Sequence, residues 1–162
     1  MLEIGWVGNG GQGTRDATLL EATKSAKIVA LADYFKDQLD AATTKFGVDP
    51  RNAHLGIKAY QEIMSSKVDA VLLTTPPGFR PEHFSAAVSA RKHVFMEKPL
   101  AVDVPGVHEV VEAGIEPFAG YWHAGPDELI PVYETNRINV VVTGGETNGH
   151  FSIFQGAQMP PA

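Results

Sequence analysis

Leu2-Glu3-Ile4-Gly5-Trp6-Val7-Gly8-Asn9-Gly10-Gly11-Gln12-Gly13 follows the first Met, an apolar run passing straight into a G-x-G-x-x-G set, and Asp33 comes twenty residues after the last of these glycines. Glycine is common enough for such a pattern to arise by chance. This one gains weight from its context: a strand-like run before it, a helix-like run after it, and an acid closing the next apolar run, Ile28-Val29-Ala30-Leu31-Ala32. Together these features read as a dinucleotide-binding site. Gly8 lets the chain turn sharply off the strand, Gly10 keeps a Cβ away from a pyrophosphate, and Gly13 lets the helix lie close against the sheet. The helix N-terminus then offers free N–H groups and the positive end of its dipole to the phosphates. Asp33 is placed to accept from both hydroxyls of an adenosine ribose, and a 2′-phosphate there would meet a like charge, so the reading is NAD rather than NADP. The bland alternative is a glycine-rich turn beside a surface Asp.

At 162 residues and 44% hydrophobic, the chain has the size and composition of one ordinary globular domain with a real core. The formal charge of −6 argues against a general nucleic-acid or anionic-membrane binder, although backbone dipoles can hold an anionic cofactor at one local site. With no cysteine, disulfides, thiolate nucleophiles and Cys-based metal centres are excluded. The six histidines show no His-x-x-x-His or His-Glu-x-x-His spacing, no calcium-loop pattern occurs, and no Gly-x-Ser-x-Gly elbow is present, so no metal and no hydrolase is expected. The N-terminus enters its first strand without a basic or apolar leader, and no apolar stretch reaches the ~20 residues of a membrane span. The expectation is a cytoplasmic protein with no membrane partner, although an export signal already removed would leave the same N-terminus.

Helix-like and strand-like segments alternate to about residue 114, the pattern of repeated βαβ units and a parallel sheet. Residues 14–23 read as a helix with Ala17, Leu20 and Ala22 inward; residues 37–46 as a second, with Leu39, Ala41, Ala42 and Phe46 at helical spacing and Gly47 as its cap. A short strand over 54–57 and a helix carrying Tyr60, Ile63 and Met64 follow. Residues 70–75 form the cleanest strand, stopped by Pro76-Pro77. Pro81 starts the next helix, with Phe84, Ala87, Val88 and Arg91 recurring on one face, before the strand 93–96. Asp103 caps a last helix with Val107, Val110 and Val111 inward and Gly114 at its end. The fold class is therefore α/β, a doubly wound parallel sheet of the Rossmann type.

Beyond 114 the pattern deteriorates. Glu116 and Pro117 interrupt an expected sixth strand, a short helix is expected over 131–137, and residues 140–142 and 151–154 read as two strands joined by the turn-rich stretch 143–149. The division expected is a dinucleotide-binding domain over 1–120 and, over 121–162, a short irregular tail adding one or two strands, the remnant or beginning of a substrate or oligomerisation domain. A lone hairpin is marginally stable, so these strands would pack on the main sheet or join a second copy as a homo-oligomer.

Thr74-Thr75-Pro76-Pro77-Gly78 and Lys92-His93-Val94-Phe95-Met96-Glu97-Lys98-Pro99-Leu100-Ala101 both fall at carboxyl ends of expected parallel strands, where open α/β sheets bind ligands. A lysine there can donate to a substrate oxygen and polarise the carbon that exchanges hydride. A solvated Glu-Lys pair in a loop is the competing reading of Glu97-Lys98 alone. With the G-x-G-x-x-G set, Asp33 and the Thr-Thr-Pro-Pro segment, the Lys92 to Pro99 stretch resembles the glucose-fructose oxidoreductase and inositol dehydrogenase (Gfo/Idh/MocA) family over residues 1 to about 114. The resemblance implies NAD(P)-dependent oxidoreduction of sugars, inositols or related polyols. It further implies that Gly8, Asn9, Gly10, Gly11, Gln12 and Gly13 hold the pyrophosphate, Asp33 the ribose, Thr75 and Pro76 the middle of the cofactor, and Glu97 and Lys98 its nicotinamide side. Lys98 would be the catalytic residue. His83 matches a position that lies near the cofactor in the family, with a helix-surface histidine as the alternative. The family's substrate domain, with its downstream Asp/His pair, is expected to be missing, and His123 and His150 are left unassigned. The function expected is hydride transfer to or from a polyol; the alternatives are a truncated NAD-binding module without activity of its own, and a Rossmann scaffold kept for interaction.

Overall fold

Short apolar runs bounded by Gly, Pro and polar residues form five parallel strands: β1 (Leu2–Val7), β2 (Ala26–Asp33), β3 (Ala53–Leu55), β4 (Ala70–Leu73) and β5 (His93–Met96), in the spatial order β3-β2-β1-β4-β5. In a computed structural model of the chain, residues 1–114 are described in full, and beyond them only the backbone of residues 119–125, 128–135, 138–141 and 152–154. The helices between strands are α1 (Gly11–Ala22), α2 (Lys36–Phe46), α3 (Tyr60–Ser65) and α4 (Arg80–Ser89), and α5 (Val104–Gly114) follows β5. This is the Rossmann-type doubly wound sheet that the alternation predicts. The chain leaves β1 toward β2 on one side and returns to β4 on the other, so a crevice opens beyond the carboxyl ends of β1 and β4. Val7 lies level with Ala32 on β2 and Leu73 on β4, bringing the three strand ends to one rim.

Each sheet face buries its own apolar cluster. Trp6, Ile28, Leu31 and Leu72 meet Ala17 of α1 and Leu39, Ala42 and Phe46 of α2 on one face. On the other, Val7, Ala30, Val71 and Leu73 meet Ile63 of α3, Phe84 of α4 and Val110 of α5. An irregularity between β1 and β2, where Ile4 faces Ile28 but Gly5 faces Ala30, returns both Ile28 and Leu31 to the Trp6 side. Gly47 caps α2 in the left-handed region with φ 62°, and the Asp103 carboxylate accepts from the Gly106 N–H at the start of α5, as the sequence predicts.

Several expectations need correction. α1 begins at Gly11 rather than residue 14, because the last three residues of the glycine set are its first turn and Gly10 is its cap. β4 stops at Leu73 rather than 75, because Thr74 and Thr75 turn toward the glycine loop, and β3 is confined to 53–55. Ala22, Ala41, Val107 and Val111 are exposed, whereas Ala17, Leu39, Ala42, Phe46 and Val110 of the same helices are buried in the core and Leu20 and Ala113 pack against it partly buried. Arg91 lies outside α4, in a left-handed turn with φ 56°. The tail differs more. In place of a helix over 131–137 there is a strand, β7 (Glu128–Thr135), between β6 (Ala119–Gly125) and β8 (Ile138–Val141), with β9 (Ser152–Phe154) beyond. These four antiparallel strands form a sheet of their own, where the sequence suggested one or two strands. Pro131 is accommodated there opposite Tyr121, in a segment whose apolar residues suit an extended chain better than a helix started at a proline. The interruption at Glu116 and Pro117, the turn 143–149 and His150 lie outside the described residues.

The fully buried Phe84 and the exposed Val111 give a direct test of the packing. Phe84→Ala should cost about 3–5 kcal/mol of stability by opening a cavity, whereas Val111→Ala should stay within about 0.5 kcal/mol, both measured by urea unfolding of the purified chain.

Candidate functional site

The glycine turn is locked to the end of β4. Gly8 has φ 89°, and a Cβ there would fall 2.6 Å from the backbone nitrogen of Thr75. A Cβ on Gly13 would fall 2.2 Å from Thr74 Oγ1 and 2.6 Å from the Gly8 carbonyl oxygen. Thr74 fills that space: its hydroxyl donates to the Gly8 carbonyl (2.6 Å) and accepts from the Trp6 indole N–H (2.8 Å). Gly10 and Gly11 are different, since a Cβ on either meets nothing within 4 Å. Open space thus lies in front of the first turn of α1, where helix N–H groups lack intrahelical acceptors and no acidic side chain intervenes.

Asp33 closes one end of this space. Its Oδ2 accepts from the Asn9 N–H and its Oδ1 from the Phe35 N–H (2.8 Å), so the carboxylate at the tip of β2 braces the glycine turn. Asn9 is 2% exposed and lies beneath the turn, its Nδ2 donating to the Trp6 carbonyl (3.2 Å). A cleft of about 1020 Å³ runs from here past the switch point. One wall carries Tyr34, Phe35, Gln38 and Ile57 beside Asp33; the other carries Thr74, Thr75, Pro76, Phe79, Arg80 and His83, with Tyr60 beneath.

His83 is inside rather than on the helix surface. At 5% exposure, its Nδ1 stands 3.1 Å from Thr75 Oγ1, with its ring centroid 4.4 Å from that of Tyr60 and stacked on Phe79 at 6.2 Å. Burial pulls its pKa down to about 4 against the opposing pull of Glu82, leaving a neutral imidazole. Tyr60 is tied in turn to Glu82 by a hydroxyl donating to Oε1 (2.7 Å).

Glu97 and Lys98 follow β5 at the rim. The Glu97 N–H continues the ladder to the Leu73 carbonyl (3.0 Å), and its carboxylate accepts from the Lys98 N–H (3.0 Å). The Gln12 amide donates to Asp16 Oδ1 (2.9 Å) and reaches Glu97 Oε1 at 3.5 Å, so the start of α1 and the β5 loop meet across the mouth. Burial, and then the Glu97 charge, raise the Asp16 pKa. The fold therefore gathers Gly8, Gly10, Gly11, Gln12, Gly13, Asp33, Thr75, Pro76 and His83 around one cleft, with Asn9 beneath it. Glu97 and Lys98 stand beside it, and the Lys98 side chain is exposed outside its walls.

The Gfo/Idh/MocA model, described as an oxidoreductase family with an NAD-binding Rossmann fold, matches residues 2–116. The chain belongs to this family. Among its relatives, the myo-inositol 2-dehydrogenase of Thermotoga maritima is 33% identical over 115 residues, covering 68% of this chain and 32% of the relative. The inositol 2-dehydrogenase 3 of Saccharopolyspora erythraea is 40% identical over 95 residues, covering 59% of this chain and 27% of the relative. The scyllo-inositol dehydrogenase of Lactobacillus casei, solved with bound NAD(H) and scyllo-inositol, superposes with a TM-score of 0.61 at 28% identity, over 70% of this chain and 32% of that one. The chain thus spans about a third of the length of the relatives it matches.

Within this Gfo/Idh/MocA domain, sequence reasoning missed Arg80, Tyr60, Phe79, Tyr34 and Phe35 as cleft residues. Arg80 is 6% exposed, its Nε donating to the Thr75 carbonyl (2.8 Å) and its Nη1 to the carbonyls of Glu97 (2.7 Å) and Pro99. Burial lowers its pKa and the Glu97 charge opposes this. An arginine just before a helix-starting proline reads in sequence as a surface residue; only the convergence of two loops buries it. No helix among the described residues is long and apolar enough to cross a membrane.

The depressed His83 pKa carries a pH signature. The unfolded chain takes up its proton near the ordinary histidine value of about 6.5, and the folded chain only near 4. The unfolded state therefore binds more protons between these values, and the histidine's contribution is full above about 6.5 and lost as pH falls toward 4. His83→Asn should flatten this part of the stability profile by about 3 kcal/mol, seen by comparing the two chains in urea unfolding across pH 7 to 4.

Proposed function

We propose that this chain binds NAD in the cleft and is the nucleotide-binding part of an oxidoreductase acting on inositol or a related sugar or polyol. The observation that carries the reading is the open space before Gly10 and Gly11. It faces the unsatisfied N–H groups of α1 and lies beside a carboxylate whose oxygens are already oriented by backbone N–H donors. A pyrophosphate suits that space because it needs backbone donors and no intervening Cβ. Asp33 retains lone pairs for ribose hydroxyls, and it repels a 2′-phosphate, which supports NAD over NADP. Thr75 and Pro76 border the middle of the cofactor, and neutral His83 fixes the Thr75 hydroxyl without adding charge. The bound nicotinamide supplies the hydride acceptor or donor. Lys98 would give a proton to the substrate oxygen when its carbon gains hydride and take that proton back when the carbon loses hydride, and Glu97 would hold the nicotinamide side of the site. The inositol dehydrogenases among the relatives support a polyol as substrate. In this reading residues 1–120 are the nucleotide-binding domain, and 121–162 begin the part that completes the substrate pocket.

One observation favours a second reading, in which the chain binds NAD but turns nothing over. The Lys98 side chain is exposed and stands outside the residues that line the cleft.

Calorimetric titration with NADH and NADPH tests both readings. NADH should bind at least about tenfold more tightly than NADPH, a difference of ~1.4 kcal/mol, and Asp33→Ser should narrow the gap. Gly10→Val is the sharper test: its Cβ meets nothing within 4 Å, so stability should stay within roughly 0.5 kcal/mol while NADH binding is lost. Retained affinity in that variant would remove the site. Lys98→Ala should leave NADH affinity within about threefold, well under 1 kcal/mol; loss of inositol oxidation would support the enzyme reading, and absence of turnover in the native chain the binding-only one.

A further inference from the structure

We propose that Arg80 is the positioning residue of the β5 loop: its buried guanidinium ties the carbonyls of Glu97 and Pro99, on either side of Lys98, to the Thr75 carbonyl, and so sets where Lys98 stands relative to the cleft. The value of this placement to chemistry rests on the NAD reading above; the clamp itself does not.

Three hydrogen bonds form the clamp. Nε donates to Thr75 O at 2.8 Å, Nη1 donates to Glu97 O at 2.7 Å, and the same Nη1 donates to Pro99 O. Thr75 follows β4 and residues 97–99 follow β5, so one side chain joins the two loops that border the crevice. Arg80 is anchored at the first residue of α4, and Phe84 of the same helix lies fully buried under the sheet, so the guanidinium is presented from a fixed base. The side chain is 6% exposed, and its hydrogen bonds to Thr75, Glu97 and Pro99 all go to main-chain carbonyls. A charge buried this deeply is retained only where its hydrogen bonds are made, and here the partners are main-chain carbonyls of a loop without regular structure. Proline 99 donates no N–H, and the ladder from β4 reaches the loop only as far as the Glu97 N–H. The clamp thus acts where the sheet's own hydrogen bonds stop.

Arginine is the side chain that can do this. Its planar fork holds several donors at fixed angles, whereas a lysine ammonium is a point charge on a flexible stem and glutamine offers only two N–H donors. Loss of the fork leaves the Glu97 and Pro99 carbonyls to water and frees the loop to move while the strands stay paired.

The test compares the full chain with Arg80→Gln and Arg80→Lys by residue-resolved amide hydrogen exchange and NADH titration. Arg80→Gln should speed exchange over residues 97–100 at least about tenfold with β4 and β5 little changed, and should weaken NADH binding; Arg80→Lys should fall between. Unchanged exchange at 97–100, or acceleration spread evenly over both strands, would overturn the proposal by reducing Arg80 to ordinary stabilisation. If neither variant folds, nitrogen-resolved spectra of the native chain decide: separate, slowly rotating Nη signals for Arg80 support the clamp, and one averaged signal refutes it. A native chain that fails to bind NADH would defeat the cofactor reading while leaving the exchange result to judge the clamp.

Discussion

The close approach of the β1–α1 turn to the end of β4 is the constraint on which the rest of the molecule depends. It exists because two residues lack a Cβ. At Gly8 and Gly13 an added carbon would lie 2.6 Å and 2.2 Å from Thr75 and Thr74, and no shift of a flexible side-chain tip would relieve the first, which meets backbone. With both carbons absent, Thr74 can occupy the corner and bond the Gly8 carbonyl and the Trp6 indole together. The N-terminus of α1 is thereby pinned at the point where the strand order reverses, with its free donors directed into the crevice. Trp6 contributes twice: its ring fills one core layer edge-to-face with Phe46, and its N–H finds the partner that a buried indole requires.

Buried Asp33, Arg80 and His83 each hold a neighbouring group that bears on the cleft. Asp33 holds the N–H groups of Asn9 and Phe35, Arg80 holds three carbonyls, and His83 holds the Thr75 hydroxyl. Such groups are costly to bury unless satisfied, and once satisfied they make a site stiff. The consequence for ligand binding is that an anionic cofactor would be received by oriented backbone donors rather than by mobile cationic side chains. That suits a chain of net charge −6 in which the buried Arg80 guanidinium is already occupied by carbonyls. The walls differ along the cleft, with Tyr34, Phe35 and Ile57 giving an apolar flank at the Asp33 end and the neutral His83 and Tyr60 lying at the other.

The Gfo/Idh/MocA family model matches residues 2–116, and the antiparallel strands β6 to β9 form a second sheet. Identity to the Thermotoga maritima relative is 33% over 115 residues.

The sequence by itself determined the elements whose cause is local. Strand and helix alternation, the left-handed cap at Gly47, the Asp103 cap and the glycine turn each follow from a few adjacent residues, so they were legible before any fold existed. Local pattern also misled where it was incomplete: Ala41, Val107 and Val111 are apolar at helical spacing yet exposed, since which apolar residues face inward depends on how the helix is set on the sheet. A helix is expected over 131–137 from its starting proline, but residues 131–135 pair as part of a strand, because cross-strand partners override local propensity. Only the tertiary structure decided what His83 and Arg80 do. Their surroundings come from segments distant in the chain, Tyr60 against the one and residues 97–99 against the other, and burial and hydrogen bonding between such segments have no expression in the spacing of neighbouring residues.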